Sequence, residues 1–163
     1  MNEADRKARN AQMLQQLYPT FRAKIAAVIA DLEGHGHRPR IQCAWRSPQE
    51  QRQAYESGHS KLLYGFHNVT GADGRPEALA VDLLDDDHPN QEGRLFLLQM
   101  ASSAESHGCV TGVRWGVPAA MAQAIDAAIA RKDWDAPVKV GWDPCHIQPA
   151  GMTAREAKAG RRP

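Results

Sequence analysis

One carboxylate interrupts the apolar run from Ala78 to Leu84, and it constrains both the fold and the chemistry of the chain. Burying Asp82 in such a run is costly unless a partner or a metal ion compensates its charge. The preceding residues 68–77 contain glycine, aspartate-glycine and proline, which favour a turn between two strands. A hairpin over residues 62–84 is therefore predicted, and it would bring His67 beside Asp82.

Two helices are predicted before the first strand. Residues 3–17 are charged, with apolar residues spaced for one helix face, and Tyr18-Pro19 ends them because the residue before a proline disfavours the helical conformation. Thr20 is a candidate N-cap for the second helix, and Gly34 would end it. Apolar residues at helical spacing predict its buried face: Phe21, Ile25, Val28, Ile29 and Leu32.

A strand and a third helix meet at Arg46. Residues 40–45 alternate between apolar and polar side chains, which predicts a strand. Ser47 and Glu50 have the spacing of a capping box, so a short helix should follow and run to about Ser57. Arg46 would be held at the junction between the two, where its side chain can reach a cleft.

The later elements are predicted from caps, glycines and prolines. Asn90 can cap a helix that runs to about His107, and Pro118 opens an alanine-rich helix. Residues 109–115 and 145–148 are predicted strands, and the basic tail, residues 151–163, is expected to be a frayed or disordered end.

Composition limits the classes of function. The chain has 163 residues, of which 42% are hydrophobic, so one domain with its own core is expected: a helical region over about 1–37, a catalytic core over about 38–149 and the tail. With 20 Lys and Arg against 19 Asp and Glu, no basic excess indicates a nucleic-acid partner. A monomer is expected.

The sequence also bears on location. No apolar run approaches eighteen residues, so membrane insertion is not expected. The polar N-terminal residues lack the apolar core of a secretory signal, which predicts synthesis in the cytoplasm. The three cysteines are odd in number and form no C-x-x-C pair, so neither a disulfide framework nor a cysteine zinc site is predicted.

Two imidazoles and one carboxylate are a usual catalytic zinc set, because three protein ligands leave a fourth position open. His67, Asp82 and His146 are the candidate ligands of a Zn²⁺ ion. Asp143, three residues before His146, is the candidate general acid and base, and Arg46 the candidate group that stabilises a carbonyl oxyanion. Cys145, which lies between Asp143 and His146 in a predicted strand, is expected to face away from the site.

Each candidate also has a purely structural alternative. His67 could be a hydrogen-bonded strand histidine, Arg46 a surface ion-pair partner, and Asp143 a surface carboxylate. Two other groups are interpreted structurally: His35-Gly36-His37 as an exposed loop rather than a metal site, and Asp85-Asp86-Asp87 as a solvated turn rather than a calcium site.

Several motifs, taken in order, resemble the VanY-like zinc peptidases of bacterial cell walls. They are Arg46-Ser47 with Gln49, Gln51 and Tyr55, then Gly58, Ser60-Lys61, His67, Ala80-Val81-Asp82, Trp115-Gly116 and Trp142-Asp143-x-x-His146. This group contains D-Ala-D-Ala carboxypeptidases and the L-alanyl-D-glutamate endopeptidases of phage endolysins. The resemblance covers about residues 38–149.

The resemblance implies a small α+β domain in which helices pack on an antiparallel sheet that carries the metal. It implies the same ligands and roles for His67, Asp82, His146, Asp143 and Arg46, and a place near the substrate cleft for Ser60. A peptidoglycan stem peptide is the implied substrate. The implied reaction is L-alanyl-D-glutamate hydrolysis; a D-Ala-D-Ala carboxypeptidase and a non-catalytic, zinc-stabilised wall-binding domain are the alternatives.

One departure from the family pattern is an insertion. Asp82 follows His67 by fifteen positions, with the extra loop Gly71 to Glu77 between them. Because closure entropy grows slowly with loop length, the ligands are expected to survive, and the loop is expected to lie beside the metal and reshape the cleft. A phage-type release through a membrane lesion is the expected route to the wall, with a cytoplasmic role in recycling as the alternative.

Overall fold

The computed structural model describes residues 1–89 and 93–163 and has an α+β architecture, as predicted. The helices are α1 (Glu3–Leu14), α2 (Pro19–Gly34), α3 (Pro48–Glu56), α4 (Arg94–Ser106), α5 (Ala119–Arg131) and α6 (Ala154–Lys158), with a 3₁₀ helix at Phe66–Asn68. The strands are β1 (Pro39–Cys43), β2 (Val81–Asp85), β3 (Cys109–Gly112) and β4 (Asp143–Pro149). The predicted cap Asn90 lies outside the described residues.

The four strands form one antiparallel sheet in the order β1-β2-β4-β3. The register pairs Cys43 of β1 with Asp82 of β2, and Asp82 with His146 of β4. Two of the predicted metal ligands are therefore direct neighbours across the middle of the sheet.

Helix α2 buries the apolar face that its spacing predicts, and it contacts both α4 and β1. Phe21, Ile25 and Leu32 are fully buried there. The predicted N-cap is wrong: the helix begins at Pro19, Tyr18 holds the cap position without a side-chain cap bond, and the Thr20 hydroxyl donates to the Pro163 carbonyl at 3.1 Å. A proline suits the first helical position, because its missing N–H leaves one unpaired donor fewer and its fixed φ is already helical.

Helix α3 has the predicted capping box. The Glu50 amide donates to Ser47 Oγ at 3.2 Å, and the Ser47 amide donates to Glu50 Oε2 at 2.8 Å. The helix ends before Gly58, whose φ of +77° is a conformation that glycine adopts without a Cβ clash. A local motif thus sets the direction in which the chain leaves Arg46.

The predicted hairpin is wrong, although His67 does lie beside Asp82. His67 lies in the 3₁₀ helix, and the sheet partners of β2 are β1 and β4. The inserted loop closes on itself, with the Glu77 amide donating to the Val69 carbonyl at 3.0 Å. The Leu79 amide then donates to the Phe66 carbonyl at 2.9 Å, so tertiary contacts hold His67 against the sheet.

The basic tail is ordered, which corrects the prediction of a frayed end. Thr153 and Glu156 form a capping box for α6. Beyond it, Arg162 donates to Glu77 Oε2 at 2.8 Å and to the Thr70 carbonyl at 3.3 Å. The tail therefore fastens the inserted loop from outside, a contact between segments more than eighty residues apart.

The acidic run Asp85-Asp86-Asp87 begins at the end of β2 and is solvated only in part, because Asp87 is exposed but Asp86 is buried. The Asp86 side chain is only 4% exposed and lies 2.7 Å from Arg40 Nε and 3.1 Å from the N-terminal amine. In the neighbouring loop His35 is exposed, whereas His37 Nε2 lies 2.5 Å from Gln99 Oε1.

Among the described residues, no helix is long and apolar enough to cross a membrane.

Candidate metal centre

Three side-chain atoms from three separate segments converge on one point. His67 Nε2 lies 3.3 Å from His146 Nδ1, His146 Nδ1 lies 3.2 Å from Asp82 Oδ1, and His67 Nε2 lies 3.4 Å from Asp82 Oδ1. A tetrahedral zinc ion with ligand bonds of about 2.0–2.1 Å requires ligand atoms roughly 3.3 Å apart. The triangle therefore fits such an ion without rearrangement.

In each imidazole, the outer ring nitrogen, which is the one directed away from the shared point, faces an oxygen acceptor. His67 Nδ1 lies 2.6 Å from the Ala44 carbonyl, and His146 Nε2 lies 3.1 Å from Gln148 Oε1. Each ring thus donates its outer N–H, which directs the lone pair of its inner nitrogen towards the shared point. Both tautomers are those that a metal ligand needs.

Three acceptor atoms that point at one another over such short distances repel each other unless a cation lies between them. Burial opposes charge on His67, but the hydrogen bond and charge of Asp82 outweigh it and raise the pKa of His67 to about 10. Burial likewise opposes ionisation of Asp82, yet its contacts with His146 and His67 hold its pKa well below the usual range. A proton on His67 fills the role of the cation when no metal is bound, and a metal would displace it.

Asp143 lies at the edge of the triangle. Its Oδ2 is 3.8 Å from His146 Nδ1, and its side chain is 32% exposed, towards the cleft. Burial and then the nearby charge of Asp82 raise the pKa of Asp143, against the attraction of the two histidines and Arg46. A carboxylate whose pKa is raised in this way is suited to exchange protons with a substrate.

A cleft of about 460 Å³ opens over the triangle, and Arg46 and Ser60 both line it. Arg46 Nη1 donates to Gln51 Oε1 at 3.0 Å, and Gln51 Nε2 donates to Ser60 Oγ at 2.9 Å. Gln51, which is buried, thus connects the two predicted residues and fixes the guanidinium at the cleft wall.

The comparisons with known proteins identify the fold. No family model matches the sequence, and no curated protein matches it. A solved structure, that of the L-Ala D-Glu endopeptidase ChiX of Serratia marcescens, is similar, with a TM-score of 0.56 and 16% sequence identity. The match covers 91% of this chain and 94% of that one. This chain shares the fold of that endopeptidase.

All six predicted site residues line this one cleft: Arg46, Ser60, His67, Asp82, Asp143 and His146. The inserted loop does not lie beside the metal site as expected. The cleft lining in the described part of the chain includes residues 65–68 but none of 69–77. The tail contacts the loop instead, where Arg162 donates to Glu77.

Two cysteines lie close to the site. Cys43 groups with His67 and Asp82, and Cys145 with Asp82 and Asp143, with the potential ligand atoms of each group within 4.8 Å of one another. The prediction that Cys145 faces away from the site is therefore wrong; a register irregularity near Asp143 disturbs the strict alternation of β4. Both groups could hold a metal, but the triangle of two imidazoles and Asp82 is tighter.

Sequence reasoning did not assign roles to the residues that orient the ligands. Gln148 lies two positions after His146 on a strand, so the period of two places both side chains on one face and could have indicated it. The Ala44 carbonyl carried no such signal, because a backbone acceptor is independent of residue type. Trp115 lies with its ring centroid 5.1 Å from that of His146 and covers the ring.

Proposed function

We propose that the protein is a zinc-dependent peptidase that hydrolyses the L-alanyl-D-glutamate amide bond in peptidoglycan stem peptides. The observation that carries the proposal is the triangle of His67, Asp82 and His146, with Asp143 beside it in an open cleft. Two imidazoles and one carboxylate would hold a zinc ion with three protein ligands and would leave a fourth position for a reacting group.

Zinc is the metal that this donor set suits best, because imidazole nitrogens and one carboxylate at tetrahedral spacing match its preferences. When bound, zinc supplies a water molecule of lowered pKa and a Lewis acid for the carbonyl oxygen. His67 and His146 serve only as neutral ligands, since the Ala44 carbonyl and Gln148 occupy their outer N–H groups.

The remaining chemistry belongs to Asp143 and Arg46. Asp143 accepts the proton of the attacking water and returns it to the departing amine, and its raised pKa keeps the proton available for that second transfer. The Arg46 guanidinium, held by Gln51, donates to the carbonyl oxygen as negative charge develops there. The two residues thus divide proton transfer and charge stabilisation between them.

The substrate assignment draws on the fold and the cleft. The fold neighbour is an L-Ala D-Glu endopeptidase. The cleft has a volume of about 460 Å³, and four large exposed apolar side chains lie on it or on adjoining segments: Tyr55, Leu62, Leu63 and Trp142. An open cleft of this size accepts a peptide segment that continues beyond the site.

The test is digestion of purified peptidoglycan by the zinc-loaded protein, followed by mass analysis of the fragments. New L-alanine C-termini and D-glutamate N-termini should appear, stop on addition of a chelator and return with zinc. Release of terminal D-alanine alone would assign a carboxypeptidase. Binding of wall fragments without any cleavage would assign the non-catalytic domain.

A further inference from the structure

Lys61 and Trp142 face each other across the mouth of the cleft. The Lys61 ammonium lies 5.7 Å from the centroid of the Trp142 ring, and both residues line the cleft. Lys61 belongs to the rim loop, residues 57–65, which joins α3 to the 3₁₀ helix, whereas Trp142 directly precedes Asp143. The pair therefore connects two separate walls of the site.

The Trp142 ring is exposed yet held in position. It is 65% exposed, and its ring centroid lies 5.6 Å from that of Trp115, which in turn covers His146. Gly116 leaves room for it, because a Cβ there would come within 3.0 Å of the indole. An indole fixed this way offers an apolar face to a ligand at no further ordering cost.

The cleft has two long cationic side chains, and neither forms a salt bridge with a carboxylate of the described ranges 1–89 and 93–163. Arg46 contacts only the neutral Gln51 amide and the Cys43 sulfur, at 3.0 and 3.6 Å. Lys61 has the Trp142 ring as its contact. A bound cation would compensate the negative charge of Asp82 at the base of the cleft. The Lys61 ammonium at the mouth is then available to attract a negatively charged ligand.

We propose that Lys61 and Trp142 recognise a free carboxylate of the substrate that is not part of the scissile amide. The inference rests on the proposed function and specifies its substrate. A glutamate linked through one carboxyl group retains the other, so a stem peptide carries such a charge close to the cleaved bond. The Lys61 ammonium pairs with this carboxylate, and the indole packs on the aliphatic part of the same residue.

The experiment compares two synthetic stem peptides, one with the free glutamate carboxylate and one with that group as the primary amide. Zinc-loaded wild type should show a kcat/KM at least about tenfold higher for the acid, as expected for a hydrogen-bonded charge pair. Lys61→Met should lower kcat/KM for the acid at least about tenfold and so remove this preference, whereas Lys61→Arg should retain it. Lys139→Met, at an exposed lysine outside the cleft lining, is the matched control and should behave as wild type.

Tryptophan fluorescence gives a second measurement that does not need turnover, because Trp142 at the cleft mouth is one of the four tryptophans of the chain. The acid should bind zinc-loaded wild type about tenfold more tightly than the amide and change the indole emission, and Lys61→Met should bind both peptides equally. Tighter binding of the acid without cleavage would reject the proposed function and retain this inference. Equal affinity of wild type for the two peptides, absent binding, or an acid preference that survives in Lys61→Met would overturn it.

Discussion

Two clusters of buried charge differ in how completely their groups are paired. In the first, Arg6 is 1% exposed, and its guanidinium donates to Glu3 and Glu33 at 2.6 and 2.7 Å and to the Pro39 carbonyl at 2.6 Å. In the second, His67, Asp82 and His146 direct three acceptors at one point. The first cluster is complete by itself, and the second requires an added cation.

The difference separates charged groups that stabilise the fold from charged groups that are available for chemistry. A buried cation whose three nitrogens all find acceptors joins segments, here α1, α2 and β1. Converging acceptors without a donor would repel one another, and folding tolerates them only when a ligand or proton compensates. We therefore expect substitutions in the first cluster to change stability and substitutions in the second to change chemistry.

The largest expected effect is on catalysis. Asp143→Asn removes proton transfer but keeps the shape of the side chain, so kcat/KM for stem-peptide cleavage should fall about a thousandfold. Zinc content, measured by atomic absorption, should remain one per chain because Asp143 lies outside the triangle. A variant that loses zinc would make Asp143 a ligand instead.

Arg6→Met should act on stability alone. It leaves Glu33 without its buried partner, and the free energy of unfolding, measured in urea, should fall by about 2 kcal/mol. Arg52→Met, at an exposed arginine of α3, is the control and should stay within roughly 0.5 kcal/mol of wild type. Reduced zinc affinity in Arg6→Met would contradict the separation of the two clusters.

Gln148→Leu should weaken the site through a residue that touches no metal. Losing the acceptor for His146 Nε2 frees the ring to change tautomer, and zinc affinity should fall about 10- to 100-fold in a chelator competition. Gln148→Glu keeps an acceptor and should bind zinc at least as tightly as wild type. Unchanged affinity in the leucine variant would show that the ring needs no such partner.

Zinc affinity should also depend on pH. Asp82 raises the pKa of His67 to about 10 in the metal-free protein, so below that pH the metal must displace a proton. Affinity should therefore increase about tenfold per pH unit, measured between pH 6.5 and 8. The same proton also stabilises the metal-free fold. This contribution to stability is fully present below pH 6.5, and it is lost as the pH rises through about 10. A pH-independent affinity would mean that His67 holds no proton to displace.

Predictions based on local pattern agree with the structure where the interaction is itself local. The capping box at Ser47 and the buried face of α2 depend on residues within a few turns of one another. The hairpin and the frayed tail were wrong, and the acidic turn is buried at Asp86, because distant groups decide them: Arg162 holds the inserted loop, and Arg40 pairs with Asp86. Such pairings have no signature in the sequence around either partner.

The sequence by itself determined the chemistry available to the site and most of its helices and strands. It supplies two imidazoles, two carboxylates and one guanidinium, because side-chain type sets which groups can bind metal or move protons. Only the tertiary structure decided that His67, Asp82 and His146 meet at about 3.3 Å, with Asp143 just outside. Strand order and the Ala44 carbonyl set that geometry, since position in space depends on contacts across the whole chain.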